Sequence, residues 1–322
     1  MINYIIRKLL LAIPLILGVV TLIFILVQLS PGDATDRFFT PETPPEVRQM
    51  VMEKWGLDQP VYVQYLRMVG NLSTGDFGIS IAQERPVFDI IGEKLPNTLL
   101  LSGVTLSVII FTGISLGIAQ SIRQYSLFDN LASVLSLFFY SMPSFWLALM
   151  LIIIFTVQLD LLPASGMVDA VEHDFMTPAE KLWDRFIHLL MPGLGLGVAS
   201  SAGMARYMRS SMLEVVSQDY VRTARAKGLA ETKVILKHTV RNAMLPIITL
   251  IGLSLPFLFS GSVLIEYVFA WPGMGRVIVE AIFTQDTPLI IACFFVFTIL
   301  VVSGNLLADI AYSFVDPRIR LS

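Results

Sequence analysis

The chain has 322 residues, of which 55% are hydrophobic and only 15% charged, with a mean hydropathy of +0.73 and a net charge of −3. Soluble domains carry about 25% charged residues, so this composition excludes a water-facing globule. The single cysteine, Cys293, excludes an internal disulfide and a cysteine-based metal cluster; in its apolar run it reads as a small buried hydrophobe.

Six long apolar segments are expected to be membrane spans, each needing about 20 residues. The first runs from about Leu9 to Leu29. It is too long for a signal-peptide core, and Ser30-Pro31-Gly32-Asp33 follows it where a small-residue cleavage site would stand. The second covers about Thr98 to Gln120. The third, about Leu127 to Leu159, is longer than a span needs and holds Pro143, which predicts a tilt or kink. The fourth is about Phe186 to Met208, the fifth about Leu245 to Phe269, and the sixth about Pro288 to Tyr312. With the N-terminus inside, the inner segments hold thirteen of the 22 Lys and Arg and only six of the 25 Asp and Glu. Basic residues favour the inner side, and an even number of spans returns the chain there, so both termini are expected inside.

The first outer segment contains Thr43-Pro44-Pro45-Glu46 and, ten residues later, Gly56. Proline at the start and glycine past the end predict a short helix between them. A turn-rich patch follows at Gly70 to Gly78, and a second, acidic outer loop runs from about Asp160 to Arg185. Gly193, Gly197 and Ser201 recur at four-residue steps in the fourth span; such a face lets helices pack backbone to backbone.

The inner segment from about Arg209 to Met244 is the most basic part of the chain. It reads as one helix from Ser210 to about Lys227, a stop at Gly228, and a second helix starting at Glu231 or Thr232, with Leu236, Val240 and Met244 on one face. Ala224, Ala226 and Gly228 offer small residues that let another protein's surface approach closely.

Several chemistries are missing. The sequence has no G-x-x-x-x-G-K-[ST] phosphate loop, no H-E-x-x-H zinc site and no G-x-S-x-G nucleophile elbow. His173, His188 and His238 lie in different segments. The apolar cores hold almost no ionisable groups of the kind proton-coupled carriers place at mid-membrane; Glu266 and Asp309 fall near span ends, where an interfacial carboxylate is the expectation, and Glu266 becomes a mid-pathway carboxylate if the fifth span is shifted outward. No reaction, metal or cofactor is therefore expected on this chain, and energy for any transport would enter from a partner. A carrier working alone, or a membrane scaffold, remains the rival reading.

Asp219-Tyr220-Val221-Arg222-Thr223-Ala224-Arg225-Ala226-Lys227-Gly228-Leu229, followed by His238-Thr239-Val240-Arg241-Asn242-Ala243-Met244-Leu245-Pro246, resembles the cytoplasmic "EAA" loop of bacterial ABC-importer permeases, in the version of the oligopeptide, dipeptide and nickel family. Family-like stretches recur at Gly75-Asp76-Phe77-Gly78-Ile79-Ser80, Leu95-Pro96-Asn97-Thr98, Ser141-Met142-Pro143-Ser144-Phe145-Trp146, Trp271-Pro272-Gly273-Met274-Gly275 and Asp316-Pro317-Arg318-Ile319-Arg320. The long segment after the first span resembles the B-type subunit of paired permeases. Where the general motif has Glu-Ala-Ala, this chain has Arg222-Thr223-Ala224.

The resemblance implies an all-α polytopic fold of the type I importer kind. It implies an N-terminal span (1–30), a periplasmic segment (31–96), a five-span core (97–312) including the coupling loop (209–245), and a cytoplasmic tail (313–322). The implied assembly lies in the bacterial inner membrane among its lipids. It joins this chain to a second, homologous permease as a heterodimer, to two ATPase subunits that hold ATP and Mg, and to a periplasmic or lipid-anchored solute-binding protein; nucleic acid has no part in it. The implied contact with the ATPase is a short helix built from Asp219, Tyr220, Arg222, Thr223, Ala224, Arg225, Ala226, Lys227, Gly228 and Leu229. The implied cargo is dipeptides or oligopeptides, then nickel or another chelated metal, then oligosaccharides.

Overall fold

The computed structural model describes residues 2–30 and 58–315, together with 44, 46, 49–50 and 52–53. Among the described residues the chain is helical, with a lone antiparallel bridge between Ile79 and Pro86 in place of any strand. Five helices among the described residues are long and apolar enough to cross a membrane, and a sharply bent pair makes a sixth if it counts as one span. The helix expected between Thr43 and Gly56 lies outside the described residues except for 46, 49–50 and 52–53, which are helical. The Asp316–Arg320 stretch lies outside them altogether.

The chain divides into two compact units. One comprises Ile2–Pro96 with Gly273–Leu300. Helix α1 (Ile2–Leu29) is the first span. Helix α2 (Val61–Thr74) was not evident from the sequence; it packs along α1 through a Phe24–Tyr65 ring contact at 5.5 Å and a Thr21–Tyr65 hydroxyl contact at 2.7 Å. It ends on Gly75 at φ +80, a left-handed cap that glycine adopts cheaply. Helix α3 (Val87–Ile122) begins in this unit and passes into the other beyond Pro96. The remaining core comes from α9 (Met274–Phe283), a second helix absent from the sequence expectations, and from the start of α10 (Thr287–Val315). Val87, Ile90 and Ile91 meet Met274, Val277, Ile278, Leu289 and Cys293 there. Asp286 precedes α10, is fully buried, and accepts from Ser80 Oγ (2.5 Å) and Ala82 N–H (2.9 Å).

The other unit comprises Asn97–Pro272 and the chain from Val301. Here α4 (Leu127–Ser141) and α5 (Ser144–Leu151, running on as a π-helical stretch Ile152–Gln158) replace the expected third span. They meet at 105°, far more than a kink. The cause is local: Pro143 pushes the residue before it out of the helical region, and Met142 is extended at ψ 135. Helix α6 (Pro178–Val216) is the fourth span, opened by a capping box in which Thr177 and Glu180 satisfy each other's ends. Helix α8 (Arg241–Val268) carries the fifth.

Small residues explain how α3 and α6 approach. A Cβ on Gly197 would lie 2.7 Å from Val108 Cγ1, and one on Gly193 would lie 3.0 Å from Val104 Cγ1. The reciprocal pair, Gly113 and Gly117 on α3, sits against Met204 and against Ala205 and Met208 of α6. Around this contact Leu101, Ile109, Ala148, Leu196, Met204, Met208, Ile247, Ile265 and Trp271 form the core. Trp271 Nε1–H donates to Asn97 O (3.0 Å), and Asn97 Nδ2 donates to Pro272 O (2.8 Å). Two of the family-like stretches thereby hold each other.

Candidate functional site

The basic segment after the fourth span is not one helix. Helix α6 stops at Val216, and a separate short helix, α7 (Asp219–Ala226), follows. Ser217 turns its hydroxyl onto Glu214 O (2.8 Å), and Gln218 is extended at ψ 148. Serine and aspartate compete with the helical backbone in this way, so Ser217-Gln218-Asp219 carried the signal for the break that the expected helix from Ser210 to Lys227 overlooked. Asp219 stands in the first turn of α7 and Arg225 in the last, each at the end whose partial charge suits it.

The end of α7 is the expected stop. Gly228 has φ +74. Its N–H donates to Arg225 O (2.9 Å), and Leu229 N–H donates to Ala224 O (3.4 Å). These are the two bonds of a Schellman cap, and Leu229 packs against the apolar patch that includes Ala224. Glu231 opens the next helical turn (Glu231–Lys233), which continues through a π-helical stretch (Val234–Val240) into α8.

One face of α7 is fixed and the other is free. Val221 (0% exposed) and Ala224 (6%) pack on Val234 (0%), with Val215, Val216 and Leu229 around them. The helix therefore rests on the end of α6 and on the start of the segment leading into α8. Ser211 Oγ–H also donates to Ala243 O (2.9 Å), tying α6 to α8. The Ala224 side chain is a floor residue, contrary to the expectation that it offers open surface. Ala226 and Gly228 are exposed, as are Asp219, Tyr220, Arg222, Thr223, Arg225 and Lys227, while Leu229 is half-buried. Arg225 reaches across the turn to Glu231 with Nη2–Oε1 at 2.7 Å; that hydrogen bond, with the charge behind it, lifts the guanidinium pKa above its usual value. Arg222 stands 3.7 Å from Asp219 in a solvent-exposed pair, and such pairs contribute little. The outward face thus presents Arg222 and Lys227 beside the small Ala226.

Glu266 lies two residues before the end of α8, near a span end as expected, and is fully buried. The burial of another carboxylate also escaped the sequence. Asp129 on α4 accepts from Arg209 Nε–H (2.8 Å) and Nη2–H (2.7 Å) of α6 and from Tyr125 N–H (3.0 Å). Among the described residues no group of three or more His, Cys, Asp or Glu side chains is placed to hold a metal.

Comparisons with known proteins identify the family of the chain. Residues 109–321 match the family described as the binding-protein-dependent transport system inner membrane component, and residues 1–102 match the N-terminal component of the same systems. The oligopeptide transport system permease protein AppB of Bacillus subtilis (strain 168) is 42% identical over 318 residues, 98% of this chain and 99% of that one. The glutathione transport system permease protein GsiC of Escherichia coli (strain K12) is 38% identical over 320 residues, 99% of each chain. A chain of the MetNI methionine ABC transporter, solved in inward-facing conformations, superposes with a TM-score of 0.57 at 16% identity, covering 72% of this chain and 98% of that one; this likeness concerns the fold. The chain belongs to the binding-protein-dependent transport system inner membrane components and is a multi-pass permease subunit of an ABC importer, not an enzyme.

Proposed function

We propose that this permease forms half of a pathway for dipeptides and oligopeptides and is driven through the 219–229 loop by ATPase subunits carrying ATP and Mg. In this reading both termini and α7 lie on the cytoplasmic side, as the distribution of basic residues requires. A second, homologous permease completes the pathway, and an outer solute-binding protein delivers the cargo. The relatives named for oligopeptides and glutathione support a peptide cargo over a metal chelate or a sugar.

The observation that carries the ATPase contact is the two-faced character of α7. Its buried face is seated on the ends of two long helices, while its outward face is basic and small. A docked subunit that displaces such a helix moves the spans with it, which is what rigid-body alternating access needs. The test uses paired cysteines. Ala226→Cys should crosslink to a co-expressed ATPase subunit under mild oxidation, and Ala224→Cys, facing the floor, should not. Equal crosslinking at both positions, or none at Ala226 and its exposed neighbours, would remove the docking role from this helix.

A further inference from the structure

In the unit that contains α1, a pocket of about 230 Å³ opens between α1, α2, the turn after α2 and the start of α10. Phe24 and Ile291 line its apolar part, and Gln64, Arg67, Asn71 and Asp76 give it polar groups of both signs. Gln64 is held by Gln28 (3.2 Å) and by Gln59 O (2.8 Å). The Asp76 carboxylate accepts Gly78 N–H at Oδ1 (2.9 Å). Among the described residues Arg67 meets no carboxylate and Asp76 no cation within ion-pair distance, and both side chains are exposed.

The depth of this pocket decides its chemistry. From Lys8 to Gln28, which bonds Gln64 at the pocket, the α1 axis rises about 30 Å, the hydrocarbon thickness of a bilayer. Lys8 marks one boundary of the apolar run, so the pocket sits at headgroup level in the opposite leaflet. Around it the protein is dressed for lipid. Only 17% of the most apolar window of α1 is buried, and α2 exposes Val61, Tyr62 and Leu66 beside Arg67. An amphipathic helix with such a face lies in the membrane interface. A cation and an anion opening into one interfacial pocket match a headgroup that carries both charges. The amide side chains and Asp76 add acceptors that a primary ammonium satisfies and a quaternary one does not.

We propose that this pocket is a binding site for a zwitterionic phospholipid with a primary ammonium headgroup, its phosphate on Arg67 and its ammonium on Asp76. The test is native mass spectrometry of the full-length permease, purified in mild detergent with its accompanying subunits. It would be titrated with phosphatidylethanolamine, phosphatidylcholine and phosphatidylglycerol of identical chains. Phosphatidylethanolamine should bind most tightly, and Arg67→Gln or Asp76→Asn should each weaken it about tenfold, the worth of one charge-assisted hydrogen bond. Arg67→Lys should keep most of the affinity, and Asp76→Asn should shift the preference toward phosphatidylglycerol by removing the repelling carboxylate. Both positions are solvent-facing, so circular dichroism should match the parent chain. Equal binding of the three lipids to the parent chain would overturn the assignment, as would unchanged binding in both variants. Displacement of phosphatidylethanolamine by a short zwitterionic peptide would make the pocket a substrate site instead; the crosslink at Ala226 is unaffected by either result.

Discussion

At Gly228 the demand is on the backbone. Its φ of +74 lies in the left-handed region, and an added Cβ would meet nothing within 4 Å. Substitution is therefore limited by conformation and not by space. Left-handed geometry costs an L-residue about 1–2 kcal/mol, more for a β-branched side chain and less for asparagine, whose amide bonds locally. Gly228→Asn should keep most peptide uptake, while Gly228→Val should lose most of it with the protein still inserted in the membrane. Comparable uptake in the two variants would show that the Schellman cap is dispensable. This residue was legible in the sequence, because glycine after a basic helical run has a specific geometric meaning. Ala224 was not: its small size fits a docking surface and a packed floor equally well, and only the position of Val234 separates the two. The burial of Glu266 was not legible for a similar reason, since closeness to a span end in sequence says nothing about which way the side chain faces.

Among the elements, long apolar runs translated directly into spans, because a bilayer leaves the backbone few alternatives to helix. What the runs could not convey was the sharpness of the turn at Met142-Pro143, where hydropathy continues across a 105° change of direction. The short helices α2 and α9 were also missed, since both lie between the runs long enough to span a bilayer. The α3–α6 contact was legible on one side only. Gly193 and Gly197 stood out as a small face, whereas their counterparts Gly113 and Gly117 did not. A Cβ on Gly117 would lie 2.6 Å from both Ala205 O and Met208 Cβ, and backbone cannot yield as a flexible side-chain end can. Gly117→Ala should therefore destabilise the detergent-solubilised protein by about 1–3 kcal/mol, the usual cost of overpacking. Gly103→Ala, with open space around it, should gain slightly from helix propensity. Thermal unfolding of the two variants side by side checks this, and a Gly117→Ala variant as stable as the parent chain would show that α3 and α6 pack less closely than described.

For the molecule as a whole, the question is how a push on an eight-residue helix reaches spans many times its size. Along α7 the linkage is a patch of three buried side chains, Val221, Ala224 and Val234, closed by Val215, Val216 and Leu229. It joins the end of a 39-residue helix to the segment that continues into α8, and the Ser211–Ala243 bond braces the same two elements above it. Interiors transmit displacement because they are close-packed and resist compression. Loosening this patch should let the loop move without the spans while leaving the outward face of α7 intact for docking. Val234→Ala removes two methyl groups from a fully buried site, a loss of about 1–2 kcal/mol at the lower end of large-to-small core changes. In a reconstituted importer this variant should hydrolyse ATP at near the parent rate and take up peptide several-fold more slowly. A parallel fall in both activities would mean that the patch serves docking itself, and unchanged uptake would place the mechanical link elsewhere, with the Ser211–Ala243 brace the next contact to cut.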